Sequence, residues 1–193
     1  YGVLVGKKPL IFTNNDSGYE TAIEFKKNGV DPIILDTRKE PKSEIIDEAK
    51  KLDIQIKFSY VVVAAKGYKK VKSAEVAKIS DDKNELGTLE TINCDCICVS
   101  GFWTPTIHLA SQSGNKTTFN KDIDAFVPGL SKQNETTLGA ANGTFTLEET
   151  LKNSFDSGYE LSKKITNNDN KTSSPIVMEK KSTTHDKFWC VPL

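Results

Sequence analysis

The stretch from Pro9 to Asp36, PLIFTNNDSGYETAIEFKKNGVDPIILD, admits few folds. Pro9 to Phe12 is a short apolar run of the kind that forms a buried strand, and Thr13 to Ser17 is a polar turn. Gly18 to Asn28 has helical spacing: Tyr19, Ala22 and Ile23 share one face, while Glu24, Lys26 and Lys27 share the other. Gly29 ends that helix, and Pro32 to Leu35 is a second apolar strand closing at Asp36. Strand, turn, helix and strand in this order make a βαβ unit of the dinucleotide-binding type.

The fingerprint of such a unit, G-x-G-x-x-G, is eroded here. With Gly18 as the third glycine, Thr13 and Asn15 stand where the first two belong. Those glycines tighten the turn and let the backbone approach a pyrophosphate, which side chains at 13 and 15 would crowd. Asp16 adds a negative charge that repels a pyrophosphate. Asp36 lies about 20 residues beyond Asn15, the place for a carboxylate on a ribose hydroxyl. Two readings fit the pattern: a modified nucleotide site, or a Rossmann unit that kept its packing and lost its ligand. The expectation is an empty turn, with Asp36 a solvated strand end beside Arg38.

A chain of 193 residues is long enough to bury a core and hold one large or two small domains. Acidic and basic residues balance at 26 each, so no global field points to nucleic acid or an anionic membrane. No apolar run approaches the ~20 residues of a membrane span. The opening YGVLVGKKPL has no secretory leader, which suggests a cytoplasmic piece of something longer. The Asn-x-Ser/Thr triplets at Asn115, Asn134 and Asn170 therefore carry no weight.

Cys94, Cys96 and Cys98 alternate, so on one continuous strand they share a face. Their spacing is not the C-x-x-C of metal or redox sites, and together with Cys190 they read as buried reduced thiols. His108 and His185 have no acidic or cysteine cluster nearby in sequence and read as structural. No catalytic or metal residue is expected.

Further along, Ser43 is placed to cap a helix over Glu44 to Leu52, with Ile45, Ile46, Ala49 and Leu52 as its apolar stripe. Ile54 to Phe58 alternates as a third strand. Tyr60 to Ala65 and Val71 to Ile79 flank a turn at Gly67 to Lys70, and a polar turn follows at Asp81 to Gly87. Leu89 to Asn93 leads into a final strand, Cys94 to Val99, expected to return buried beside the first. Gly101 permits a sharp exit and Pro105 prevents a helix there. His108 to Gln133 is polar with scattered aromatics, and Thr137-Leu138 could end a strand. Gly139 to Gly143 is a small, flexible turn before a helix capped by Thr146 and Glu149 and striped by Leu147, Leu151, Phe155 and Ile165. A Gly-rich turn at a helix start suits a phosphate or a cofactor edge, or a tight turn needed only for packing. Thr166 to Ser174 reads as a linker.

At INCDCICVSGFWTPTIHLASQSG the sequence most plainly resembles the alpha subunits of heterotetrameric sarcosine oxidase and related amine dehydrogenases. The matching residues are Tyr1-Gly2-Val3, Phe12 to Asp16, Asp95 to Gly101, Trp103 with Pro105, His108-Leu109, Ser111 to Gly114, Phe126 to Gly129 and Gly139 to Gly143. The likeness runs from about Tyr1 to Ile165. It implies a three-layer, Rossmann-like α/β domain of the two-domain FAD/NAD(P)-binding flavoprotein type, with a partial second domain. Residues 1–105 would be the inner, NAD-binding-like domain, 106–165 the return segment completing the first nucleotide-binding domain, and 166–193 a linker toward a folate-binding domain. It also implies NAD in the parent alpha subunit, FAD and FMN in the complex, and beta, gamma and delta subunits as partners. Oxidative demethylation of sarcosine would occur outside this chain. The cofactor-binding candidates are Gly139, Ala140, Ala141, Asn142, Gly143 and Gly101, and no tight cofactor is expected on the isolated chain. The alternatives are a self-contained NAD(P)-binding reductase domain, a ligand-free interaction module, and the alpha subunit of a dimethylglycine-type dehydrogenase.

Overall fold

The computed structural model describes residues 3–81, 85–101, 103–166 and 173–177. They fall into two units, the first reaching Gly101 and the second starting at Trp103. The turn at Asp81 to Gly87 is described only in part, and Cys190, His185 and most of the 166–193 segment lie outside the described residues.

The βαβ reading holds. In the first unit β1 (Pro9–Thr13), β2 (Ile33–Asp36), β3 (Gln55–Phe58) and β7 (Cys96–Ser100) form one parallel sheet in the order β3-β2-β1-β7. Leu10 pairs with Ile33 and Phe12 with Leu35 across β1 and β2, while Ile11 faces Cys98 across β1 and β7. Helices α1 (Ser17–Lys27) and α2 (Glu44–Lys51) cover one face. Between them and the sheet lie Ile11, Tyr19, Ala22, Ile23, Ile34, Ile46, Ala49 and Ile54. Because side chains alternate along a strand, Leu10 and Leu35 point the other way. They pack under an antiparallel sheet of β4 (Tyr60–Tyr68), β5 (Lys70–Lys78) and β6 (Glu90–Asn93), against Ala74 and Val76. Helices, parallel sheet and antiparallel sheet are the three layers of a Rossmann-like domain. Leu10, Ile34 and Leu35 are fully buried, each contributing about 1.5–3 kcal/mol of transfer free energy.

Polar side chains tie the two sheets together. The Tyr60 hydroxyl donates to Glu90 Oε1 at 2.8 Å, and Lys57 of β3 donates to the other oxygen of the same carboxylate.

Three details differ from the sequence reading. β7 returns beside β1 as expected but is the last strand of the sheet, and its Val99 is 70% exposed. Cys94 does not share a face with Cys96 and Cys98; it packs with Leu10 and Leu35, whereas Cys98 packs toward the helices. The alternation fails because the chain bends at Asp95, whose carboxylate accepts the backbone N–H groups of Lys7 and Lys8 at 2.8 Å each. Ser43 sits at the start of α2, yet its hydroxyl is buried without a partner and makes no capping bond.

In the second unit the polar stretch at 108–133 carries more order than its composition suggested. It holds α3 (His108–Gln112) and a hairpin of β8 (Thr117–Asn120) and β9 (Ala125–Pro128), with Phe119 and Phe126 edge to face at 5.3 Å. Thr137 and Leu138 are not in a strand. Helix α4 (Leu147–Thr166) starts where the capping residues predict. The Glu149 N–H donates to Thr146 Oγ1 at 3.4 Å, but the Glu149 carboxylate accepts the Thr146 hydroxyl rather than its backbone N–H. None of its residues is buried, and Ile165 is 82% exposed.

Candidate functional site: a dinucleotide turn filled by its own side chains

A Rossmann ligand lies beyond the carboxyl ends of the strands, where the order reverses. Here that point is between β1 and β7. A cleft of about 90 Å³ opens there, lined by Phe12, Thr13, Asn14, Thr37, Val99, Ser100 and Gly101. Ligand pockets run to about 300–1,000 Å³, so the cleft is too small for a dinucleotide.

The side chains that replaced the glycines fill the turn. Thr13 Oγ1 donates to the Asn15 carbonyl at 2.8 Å and accepts the Asn15 N–H at 3.2 Å. Asn15 Oδ1 accepts the backbone N–H and the hydroxyl of Ser17, at 2.9 and 2.7 Å. Its amide donates to the carbonyl of Gly101. An Asn side chain thus satisfies a donor of the first turn of α1 that a phosphate oxygen would otherwise accept. Gly18 keeps its packing role: a Cβ there would stand 2.6 Å from Thr13 Cβ. Thr13 and Gly18 are therefore a matched pair.

Beside the turn lies a buried ionic cluster. Asp36 is fully buried, which corrects the expected solvated strand end; its expected neighbour Arg38 is its partner. Asp36 Oδ1 accepts the Arg38 backbone N–H at 2.9 Å and Nε at 3.0 Å. Asp36 Oδ2 accepts Arg38 Nη2 at 2.8 Å and the Tyr19 hydroxyl at 2.7 Å. Arg38 Nη1 then reaches back to Asp16 Oδ1 at 2.8 Å. Burial works against the Arg38 charge, but bonds to Asp36 and Asp16 outweigh it and raise the guanidinium above its usual value. Burial first, and then the Asp36 carboxylate, push the Tyr19 phenol far above its usual value.

The chemical consequence concerns Asp36. A carboxylate offers about four acceptor positions, and these four donors occupy them. The oxygen that would bind a ribose hydroxyl is spent on the protein itself. Tyr19 as a donor to Asp36, and Asp16 as the second carboxylate on Arg38, went unrecognised in the sequence. The available signals were a tyrosine on the buried face of α1 and two opposite charges, Asp16 and Arg38, each next to a strand end.

The six cofactor candidates fall in both units. Gly101 lines the cleft of the first. In the second, Gly139–Asn142 is a single 3-10 turn, Gly139 is buried, and Ala140 and Asn142 are exposed. Gly143 has φ +80°, and a Cβ there would lie 2.7 Å from Ile123 Cδ1, so its glycine is required by backbone and packing alike. Glu148 and Glu149 occupy the first turn of α4 and oppose an anion at that helix end. Among the described residues, no three His, Cys, Asp or Glu side chains cluster to hold a metal, and no helix is long and apolar enough to cross a membrane.

The fold has many solved counterparts. The bacillithiol disulfide reductase Bdr of Staphylococcus aureus superimposes with a TM-score of 0.52 at 16% identity, over 72% of this chain and 47% of that one. The thioredoxin reductase of T. acidophilum does so with a TM-score of 0.50 at 16% identity, over 70% and 47%. These likenesses show the FAD/NAD(P)-binding flavoprotein fold. No protein-family profile matches the chain. Curated relatives are more informative. The sarcosine oxidase subunit alpha of Rhizobium meliloti (strain 1021) is 35% identical over 152 residues, 75% of this chain and 14% of that protein. Its counterpart from Corynebacterium sp. (strain P-1) is 29% identical over 153 residues, 78% of this chain and 16% of that protein. The chain thus spans about one-seventh of the length of the curated relatives it matches, and over that segment it is a homologue of the sarcosine oxidase alpha subunits.

Proposed function

We propose that this chain is the inner, dinucleotide-like segment of the alpha subunit of a flavin-dependent sarcosine oxidase complex, and that it serves as scaffold rather than as a nucleotide carrier. The observation that carries the second half is the saturation of Asp36 by Tyr19 and Arg38. The sequence likeness to named alpha subunits supports the first half. In this reading residues 1–105 are the inner domain, 106–165 return to the first nucleotide-binding domain, and 166–193 lead toward a folate-binding domain. The parent complex carries NAD in its alpha subunit and FAD and FMN elsewhere. Beta, gamma and delta subunits are the partners, in the cytoplasm, and sarcosine is demethylated to glycine at a flavin outside this chain. A dimethylglycine-type amine would use the same segment.

NAD does not fit the 13–18 turn, whose donors are already taken by the Thr13 and Asn15 side chains. Calorimetric titration of the chain with NAD and with NADP is expected to show no binding. A Kd tighter than about 100 μM, roughly 5.5 kcal/mol, would overturn the scaffold reading.

The proposal extends to the turn Gly139, Ala140, Ala141, Asn142 and Gly143 and to Gly101, as residues lining the nucleotide region of the intact subunit. Because Gly139 and Gly143 are used in packing, the contact would come from the exposed Ala140 and Asn142. In the assembled complex, Asn142→Asp is expected to reduce the nucleotide retained after desalting, by repulsion between carboxylate and phosphate. Unchanged nucleotide content would leave the turn a packing device.

A further inference from the structure

Cys96 and Cys98 are unused by any of this. They sit two apart on β7, the last strand of the sheet, on the face that looks toward the helices, and both are half-buried free thiols. Their Sγ atoms are 3.7 Å apart. Cys94, on the opposite face, is no third ligand.

That separation discriminates among fates for two sulfurs. A disulfide needs about 2.05 Å, with Cβ atoms about 3.5–4.5 Å apart. Alternate residues of a strand lie about 6.6 Å apart with parallel side chains, so closing the bond would buckle β7. A single atom bonded to both sulfurs at about 2.3 Å, with near-tetrahedral angles, spans roughly 3.5–3.8 Å. The pair is spaced for a bridging atom. A zinc-like ion needs thiolates and further donors. Here the described residues offer no third ligand, and burial, reinforced by the contact with Cys96, pushes the Cys98 thiol up to about 11. A centre that accepts two neutral thiols and is satisfied by two sulfurs suits the site better.

We infer that Cys96 and Cys98 form a two-sulfur chelating site for a monosubstituted trivalent arsenical. The reaction needs no oxidant. Two As–S bonds form on an R–As(OH)2 centre, two As–O bonds break, and each thiol proton leaves on a hydroxyl as water. Arsenic stays trivalent and no net charge enters the half-buried site.

The test uses the full chain carrying Cys94→Ser and Cys190→Ser, titrated with phenylarsine oxide. One arsenical is expected per chain, with loss of both remaining titratable thiols and protection of Cys96 and Cys98 from alkylation by N-ethylmaleimide. Cys96→Ser or Cys98→Ser in that background is expected to weaken binding about 100-fold or more, the gain a second tethered sulfur supplies. Alkylation mapping on the unsubstituted chain gives the same answer without relying on any variant to fold: both thiols should be protected together. Independent alkylation of the two thiols in the presence of the arsenical, or equally tight binding after either single substitution, would overturn the assignment.

Discussion

Arg38→Met is expected to lower the stability of the chain by about 3–5 kcal/mol, the cost of leaving a buried carboxylate without its counter-charge. One guanidinium, 7% exposed, serves two carboxylates that are 0% and 8% exposed. Removing it takes the shared counter-charge from two anions in a low-dielectric pocket, and Asp36 keeps only the Tyr19 hydroxyl among its side-chain donors. Methionine fills the volume of the stem but supplies none of the five N–H donors. Urea denaturation at neutral pH measures the loss. Adding Asp16→Asn to Arg38→Met should return part of it, because one of the two carboxylates that shared Arg38 no longer carries a charge. A loss below about 1 kcal/mol, the range of an exposed ion pair, would mean that water reaches the cluster and that Asp36 retains room for another donor. The nucleotide reading of the turn would then reopen.

The cluster also explains what the sequence made legible. The parallel sheet could be read because its signals are local: an apolar run, a helical period, a glycine stop and a second run place β1, α1 and β2 without knowledge of the rest. The erosion at Thr13 and Asn15 was legible for the same reason, and the filled turn agrees with it. The fate of Asp36 was not, because it depends on Tyr19, 17 residues away, and on an arginine that bridges to Asp16 across 22 residues. Composition places Asp36 at a strand end, where carboxylates are commonly solvated; only tertiary packing shows that two side chains, those of Tyr19 and Arg38, close over it. Cys94 was misplaced for a related reason. Alternation assumes an unbroken strand, and the chain bends at Asp95, between the end of β6 and the start of β7. At 139–143 the glycine density was legible but one of its reasons was not: Ile123 and Val127 occupy the space that a Gly143 side chain would need.

Tyr19 gives the cluster a signature in alkali. Its phenol is fully buried and donates to a carboxylate, so burial and then Asp36 disfavour the phenolate and raise its value far above that of the unfolded chain. Above about pH 10 the unfolded chain loses this proton while the folded chain keeps it. The folded state then binds more protons, and stability falls with rising pH by about 1.4 kcal/mol per pH unit for the one group. Cys98 and Tyr60, both also raised by burial or hydrogen bonding, pull in the same direction. The informative quantity is therefore the difference from Tyr19→Phe. That variant should be less stable at pH 7 by about 1–3 kcal/mol, since Asp36 loses a donor it cannot replace. Its stability should fall less steeply between pH 10 and 11, so that the two proteins converge as the pH rises. Parallel curves over that interval would show that the phenol ionises equally in both states, and the closed cluster around Asp36 would have to be abandoned.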